Sequence, residues 1–127
     1  MAIRTELNVR LPNSPGALAG VCQLLAAERV NIVAFELESG GQLRVVVDNH
    51  THAIGVLRDR HYQVSERNVI FVAAANGPGA LAPLLTLAAQ AGVNIEYAYA
   101  STAEGNATAG VVLGVDDALR AASATGL

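Results

Sequence analysis

The 127 residues carry a net charge of -3, a single cysteine and 15% charged against 52% hydrophobic residues. That balance excludes a disordered chain, a disulfide scaffold and a basic surface for polyanions. The apolar runs are short and broken by Gly, Pro, Asn or charge, so no membrane span is expected. The first eleven residues lack a signal peptide's apolar centre, and a cytoplasmic location is expected.

Thr5 to Leu11 alternates Leu7, Val9 and Leu11 with Glu6, Asn8 and Arg10, the pattern of a half-buried strand. Pro12 to Pro15 ends it, because proline cannot donate to a ladder. From Gly16 to about Glu28 the apolar positions Leu18, Val21, Cys22 and Leu25 recur at helical spacing, which points Cys22 into the core as inert packing. Ile32 to Glu38 reads as a second strand with Val33, Phe35 and Leu37 on one face. Gly40-Gly41 makes a hairpin, and Gln42 to Val47 is a third strand whose Val45-Val46-Val47 run suggests cover on both faces. Asp48 or Asn49 caps a helix over about Thr51 to Arg60 with Ala53, Ile54 and Leu57 inward, and Tyr62 to Glu66 is a short fourth strand. This order, strand-helix-strand-strand-helix-strand, is the split βαβ arrangement of ferredoxin-like folds.

The chain then repeats itself. Asn13-Ser14-Pro15-Gly16-Ala17-Leu18 returns 63 residues later as Asn76-Gly77-Pro78-Gly79-Ala80-Leu81, and Asn31-Ile32 returns at the same offset as Asn94-Ile95. Two copies of one unit follow, 1–67 and 68–127. The second copy predicts a strand over Val69 to Ala75 and a helix over about Ala80 to Ala91, with Pro83 tolerated if Leu81 is the first helical residue. A strand over Ile95 to Thr102 places Tyr97 and Tyr99 on the face of Ile95. A further strand spans Ala107 to Leu113, and a short helix capped by Asp116 or Asp117 reaches about Ser123. A last strand is missing, so the fold class is α+β: βαββαβ units in tandem, antiparallel sheets covered by helices, with the second sheet edge exposed or completed by other polypeptide.

With both N-x-P-G turns in hand, the chain resembles a tandem of ACT domains, the regulatory modules attached to many enzymes of amino-acid metabolism. The resemblance rests on the Pro-Gly turns, the leucine-rich helices and the Val30-Asn31-Ile32 and Val93-Asn94-Ile95 segments. It is also similar to small stand-alone tandem-ACT proteins through Asn94-Ile95-Glu96-Tyr97-Ala98-Tyr99-Ala100. The resemblance implies a free amino acid bound at an interface between ACT units, acting on a regulated metabolic enzyme. In the serine-sensing domain of phosphoglycerate dehydrogenase two asparagines hold the ligand, at positions that match Asn13 with Asn31 and Asn76 with Asn94. Leu11 and Ala74 stand where that domain has a histidine, so the resemblance implies an amino acid without specifying serine.

The residues suit a zwitterion. A helix start offers free N–H groups and a positive dipole end to a carboxylate. Gly16 and Gly79 admit close approach, Pro15 and Pro78 stiffen the turns, and an Asn amide serves either charged group. Asn13 and Asn31 are expected to converge, with Ser14, Ala17, Leu18 and Ile32 around them in the first copy. Gly77, Ala80, Leu81 and Ile95 take these places in the second. The competing expectation is a ligand-free module promoting oligomerisation, its asparagines serving their own turns. No nucleophile with a base, cofactor motif or complete metal set is present: His50 and His52 lack further ligands, and Asp116-Asp117 reads as a cap. Nucleic acid is not an expected partner; a homodimer is.

Overall fold

The computed structural model describes residues 2–126 and contains six strands and four helices. The elements are β1 (Ala2–Arg10), α1 (Ala17–Ala27), β2 (Ile32–Leu37), β3 (Gln42–Val47), α2 (His50–Asp59), β4 (Val64–Ala75), α3 (Leu81–Gln90), β5 (Ile95–Ser101), β6 (Thr108–Val115) and α4 (Ala118–Thr125). The fold is α+β, two βαββαβ-type units with antiparallel sheets. By contacts, one unit is Thr5–Arg67, and the other joins the chain from Asn68 onward to the residues that precede Thr5.

In the first unit the strand order is β2-β3-β1-β4. Alternation sends Leu7, Val9, Leu43, Val45 and Val47 to one side, where they bury with Val21 and Leu25 of α1 and Ala53, Ile54 and Leu57 of α2. Cys22 lies beside that stripe and is only half-buried, because Val21 and Leu25 take the inward positions. Val45, Val46 and Val47 are all buried, as a strand covered on both faces requires. The Asn49 side chain caps α2 by accepting from the His52 amide at 3.1 Å. On the face away from the helices lie Glu6, Asn8, Gln42 and Arg44. Glu6 is fully buried there and accepts from Asn8 Nδ2 at 3.3 Å. Asn8 Oδ1 in turn accepts from Gln42 Nε2 at 3.2 Å.

The second unit repeats the plan. Ile70, Val72, Val111, Leu113 and Val115 form a core with Leu84 and Ala88 of α3 and Ala118 and Ala121 of α4. Leu81 is the first residue of α3, so Pro83 falls within the first turn, where no intrahelical N–H bond is lost. Asp117 caps α4 by accepting from the Arg120 amide at 3.0 Å.

Three details depart from the sequence expectations. Val64–Ala75 is one strand of 12 residues where two strands with a break at Asn68 were expected; the stretch holds neither Gly nor Pro, so nothing ends the extended run. The stretch therefore serves both units without a linker. Second, among the described residues no strand follows α4, and β1 begins at Ala2, earlier than its alternation indicated. β1 neighbours β4 in the strand order, and its Ile3 packs against the second core. The polypeptide completing that sheet edge is thus the protein's own N-terminal strand.

The third departure concerns Tyr97 and Tyr99. Ile95 faces Val115 but Tyr97 faces Gly114, a shift of one residue that flips the strand. Ile95 joins the core while Tyr97 and Tyr99 lie on the other face, parallel at 6.3 Å between ring centres. The same shift occurs in the first unit, where Ile32 faces Val47 and Ala34 faces Val46. It leaves Phe35 and Leu37 on the helix side, opposite Val45 and Leu43, yet half-exposed because β2 is an edge strand.

Candidate functional site

The turn after β1 builds a recess in the first unit. Ser14 and Ala17 close it with an N–H···O bond of 3.3 Å, and Gly16 sits at φ +85°, a left-handed geometry that glycine adopts without penalty. The Ala17 amide is spent on Ser14, and the first bond of the helix proper runs from Gly20 to Gly16 at 2.9 Å. The Leu18 and Ala19 amides between them have no partner among the described residues. No side chain caps this helix. Its positive end is open to an anion.

Opposite the turn stands the tip of the β2-β3 hairpin. The Leu11 amide donates to the Gly41 carbonyl at 2.7 Å, and Gly41 donates to Glu38 at 3.1 Å, so turn and hairpin are tied together at their base. The cleft between them has a volume of about 180 Å³; Asn13, Ser14, Leu18 and Ala19 line one side, Leu37, Glu38 and Gly41 the other. Leu11, Pro12, Gly16 and Ala17 complete the lining. The Asn13 side chain has no hydrogen-bond partner among the described residues, and the Glu38 carboxylate pairs with the Arg44 guanidinium.

Of the expected first-copy residues, Asn13, Ser14, Gly16, Ala17 and Leu18 meet at this cleft; Pro15 does not line it, and neither do Asn31 and Ile32. The expected convergence of Asn13 with Asn31 does not occur within the unit. The 11-residue α1 separates them, a rise of about 16 Å at ~1.5 Å per residue. The Asn31 main chain is instead bonded to Asp48, its N–H to Oδ1 at 3.0 Å and its carbonyl to the Asp48 amide at 3.1 Å. Ile32 packs against the first core. Leu37, Glu38 and Gly41 were missed because they lie outside the repeated motif; the Gly40-Gly41 turn was the only signal pointing to that hairpin.

The second-copy turn has the same backbone. Ala80 donates to Gly77 at 3.2 Å and Gly79 sits at φ +77°. Its asparagine is employed differently: Asn76 Nδ2 donates to the Asn106 carbonyl at 2.8 Å and to the Ala103 carbonyl at 3.3 Å, holding the β5-β6 turn. Pro78 lies in the turn, Leu81 is exposed at the helix start, Asn94 is exposed before β5 and Ile95 packs inward.

Elsewhere, His52 Nε2 lies 3.2 Å from Glu28 Oε1, bridging α2 to the end of α1. A hollow of about 320 Å³ on the polar sheet face is lined by Asn8, Arg10, Gln42, Gln63 and Ser65 and contains none of the expected residues. No described helix is long and apolar enough to cross a membrane.

The first unit thus combines a βαββαβ fold with an open helix end beside a small cleft. Residues 5–61 match the ACT domain family, and this stretch of the chain is an ACT domain. Among solved structures, the chain is similar to protein BT0572 from Bacteroides thetaiotaomicron, at 30% identity and a TM-score of 0.88, covering 98% of this chain and 87% of that one. The regulatory subunit of aspartate kinase from Thermus thermophilus, in a ligand-free form, shares the fold at 20% identity and a TM-score of 0.71, covering 98% and 90%. Escherichia coli aspartokinase III in complex with lysine and aspartate aligns at 16% identity and a TM-score of 0.58, over 97% of this chain but 30% of that chain. Among curated proteins, none matches the sequence significantly.

Proposed function

We propose that the protein is a tandem of two ACT units that binds a free amino acid in the cleft of the first and acts as a sensor for an enzyme of amino-acid metabolism, without catalytic activity of its own. The observation that carries this reading is the pair of amides at Leu18 and Ala19, which have no partner among the described residues and line, together with the Asn13 side chain, a cleft of about 180 Å³. The α-carboxylate takes the two N–H groups and the helix dipole, and the Asn13 carbonyl oxygen accepts from the ammonium. The family match over this same unit supports an amino acid as the ligand. Asn31 serves a ligand only by way of a second copy, which fits a homodimer that pairs along the main chain of edge strand β2. The cytoplasm is the proposed compartment.

A second reading is favoured for the second unit. Asn76 is committed to the carbonyls of Ala103 and Asn106, so that copy serves as scaffold and the first as receptor. The test is a thermal-unfolding scan of the full chain against all twenty amino acids at millimolar concentration. A ligand at one hundred times its Kd stabilises by about 2.7 kcal/mol, a rise of several degrees. The shift is expected to vanish in Asn13→Ala and to survive in Asn76→Ala; no shift with any amino acid refutes the reading.

A further inference from the structure

Beside its free amides the cleft carries apolar side chains. Its apolar lining is Leu11, Leu18 and Leu37, with Ala17 and Ala19. Leu11 is buried and Leu18 half-buried against the first core, but Leu37 remains 43% exposed. Phe35, two residues earlier on the same side of β2, is 51% exposed and continues the ledge. Neither is used by the core of its own unit.

Glu38 is the only ionisable residue in the lining, and its carboxylate is paired with Arg44, which also holds Glu36 at 2.9 Å. A cationic side chain entering the cleft would have to displace Arg44 or lose hydration without a counter-ion. An anionic one would meet Glu38 itself. A short hydroxyl side chain leaves the leucine ledge uncovered.

We infer that the cleft takes an amino acid with an aliphatic side chain, of the leucine, isoleucine or valine kind, whose methyl groups cover Leu37 and Leu18. This rests on the reading that the cleft binds an amino acid at all. Each methylene placed on an apolar wall is worth roughly 10-fold or more in discrimination. Leucine is therefore expected to bind at least about 10-fold more tightly than alanine or serine.

Titration calorimetry on the full chain with leucine, isoleucine, valine, alanine, serine, lysine and aspartate tests this. The aliphatic three are expected to bind most tightly, and Leu37→Ser, an exposed change that the fold tolerates, is expected to bring leucine close to the affinity of alanine. If serine, lysine or aspartate binds as tightly as leucine, and Asn13→Ala abolishes that binding, the aliphatic assignment is wrong while amino-acid binding stands. An unaltered leucine affinity in Leu37→Ser overturns the assignment as well. If no amino acid binds, both fall together.

Discussion

The amide of Leu11 and the carbonyl of Gly41 meet at 2.7 Å, so the last residue before the β1-α1 turn is bonded to the tip of a hairpin thirty positions along the chain. Gly41 holds φ +95°, and a Cβ there would run into the Leu11 carbonyl oxygen, which is backbone and cannot step aside. Gly41→Ala is therefore expected to cost about 2–3 kcal/mol, the cost of left-handed strain plus a displaced turn. Urea unfolding measures the loss. Because the same bond joins two residues of the cleft lining, ligand affinity is expected to fall further than in Gly40→Ala, where a Cβ meets nothing within 4 Å.

The two turn asparagines are expected to behave in opposite ways. Asn76→Ala removes two side-chain bonds and is expected to cost about 1–2 kcal/mol of stability. Asn13→Ala removes none among the described residues, and its unfolding midpoint should match the parent's within about 0.5 kcal/mol. Chemical denaturation of the two variants side by side decides the point, without any ligand present.

Ile3 packs against the second core from the N-terminal end of β1. Ile3→Asp puts a charge against the second core and is expected to destabilise by about 2–4 kcal/mol, more than Ile3→Ala. Hydrogen exchange followed by residue should show the loss centred on β6 and α4, with β2 and β3 less affected. Equal loss in the first unit would show that Ile3 has no special tie to the second.

Gly110 and Gly114 lie under aromatic rings. A Cβ at Gly110 would stand 2.7 Å from Phe71 Cζ, and one at Gly114 would enter the Tyr97 ring. Phe71 also carries the Arg4 guanidinium 5.2 Å from its ring centre. Gly110→Ala and Gly114→Ala are each expected to cost about 1–3 kcal/mol by forcing a ring to move. Near-ultraviolet circular dichroism should change with them, since the tyrosine pair reports directly on its surroundings.

Much of this architecture was legible in the sequence. The repeated motif and the 3.6 and 2.0 periodicities located every helix and most strand cores, and the inward stripe of α2 came out residue for residue. Faces were harder. The one-residue shift after Ile32 and Ile95 inverts everything that follows, and no glycine or proline marks it, so Tyr97 and Tyr99 read as partners of Ile95. The site was half legible for a related reason: a motif displays the residues of one turn, whereas Leu37, Glu38 and Gly41 reach the cleft by strand pairing across the sheet. Convergence of Asn31 with Asn13 was expected because the repeat pairs them in sequence, while α1 holds the two a helix length apart within the unit.

One feature of the chain path bears on how the molecule is made. Ile3 is polymerised long before Val111, Leu113 or Ala121, the residues whose company it keeps in the finished protein. Closing that core therefore depends on a contact of long sequence separation, a kind that forms more slowly than local ones.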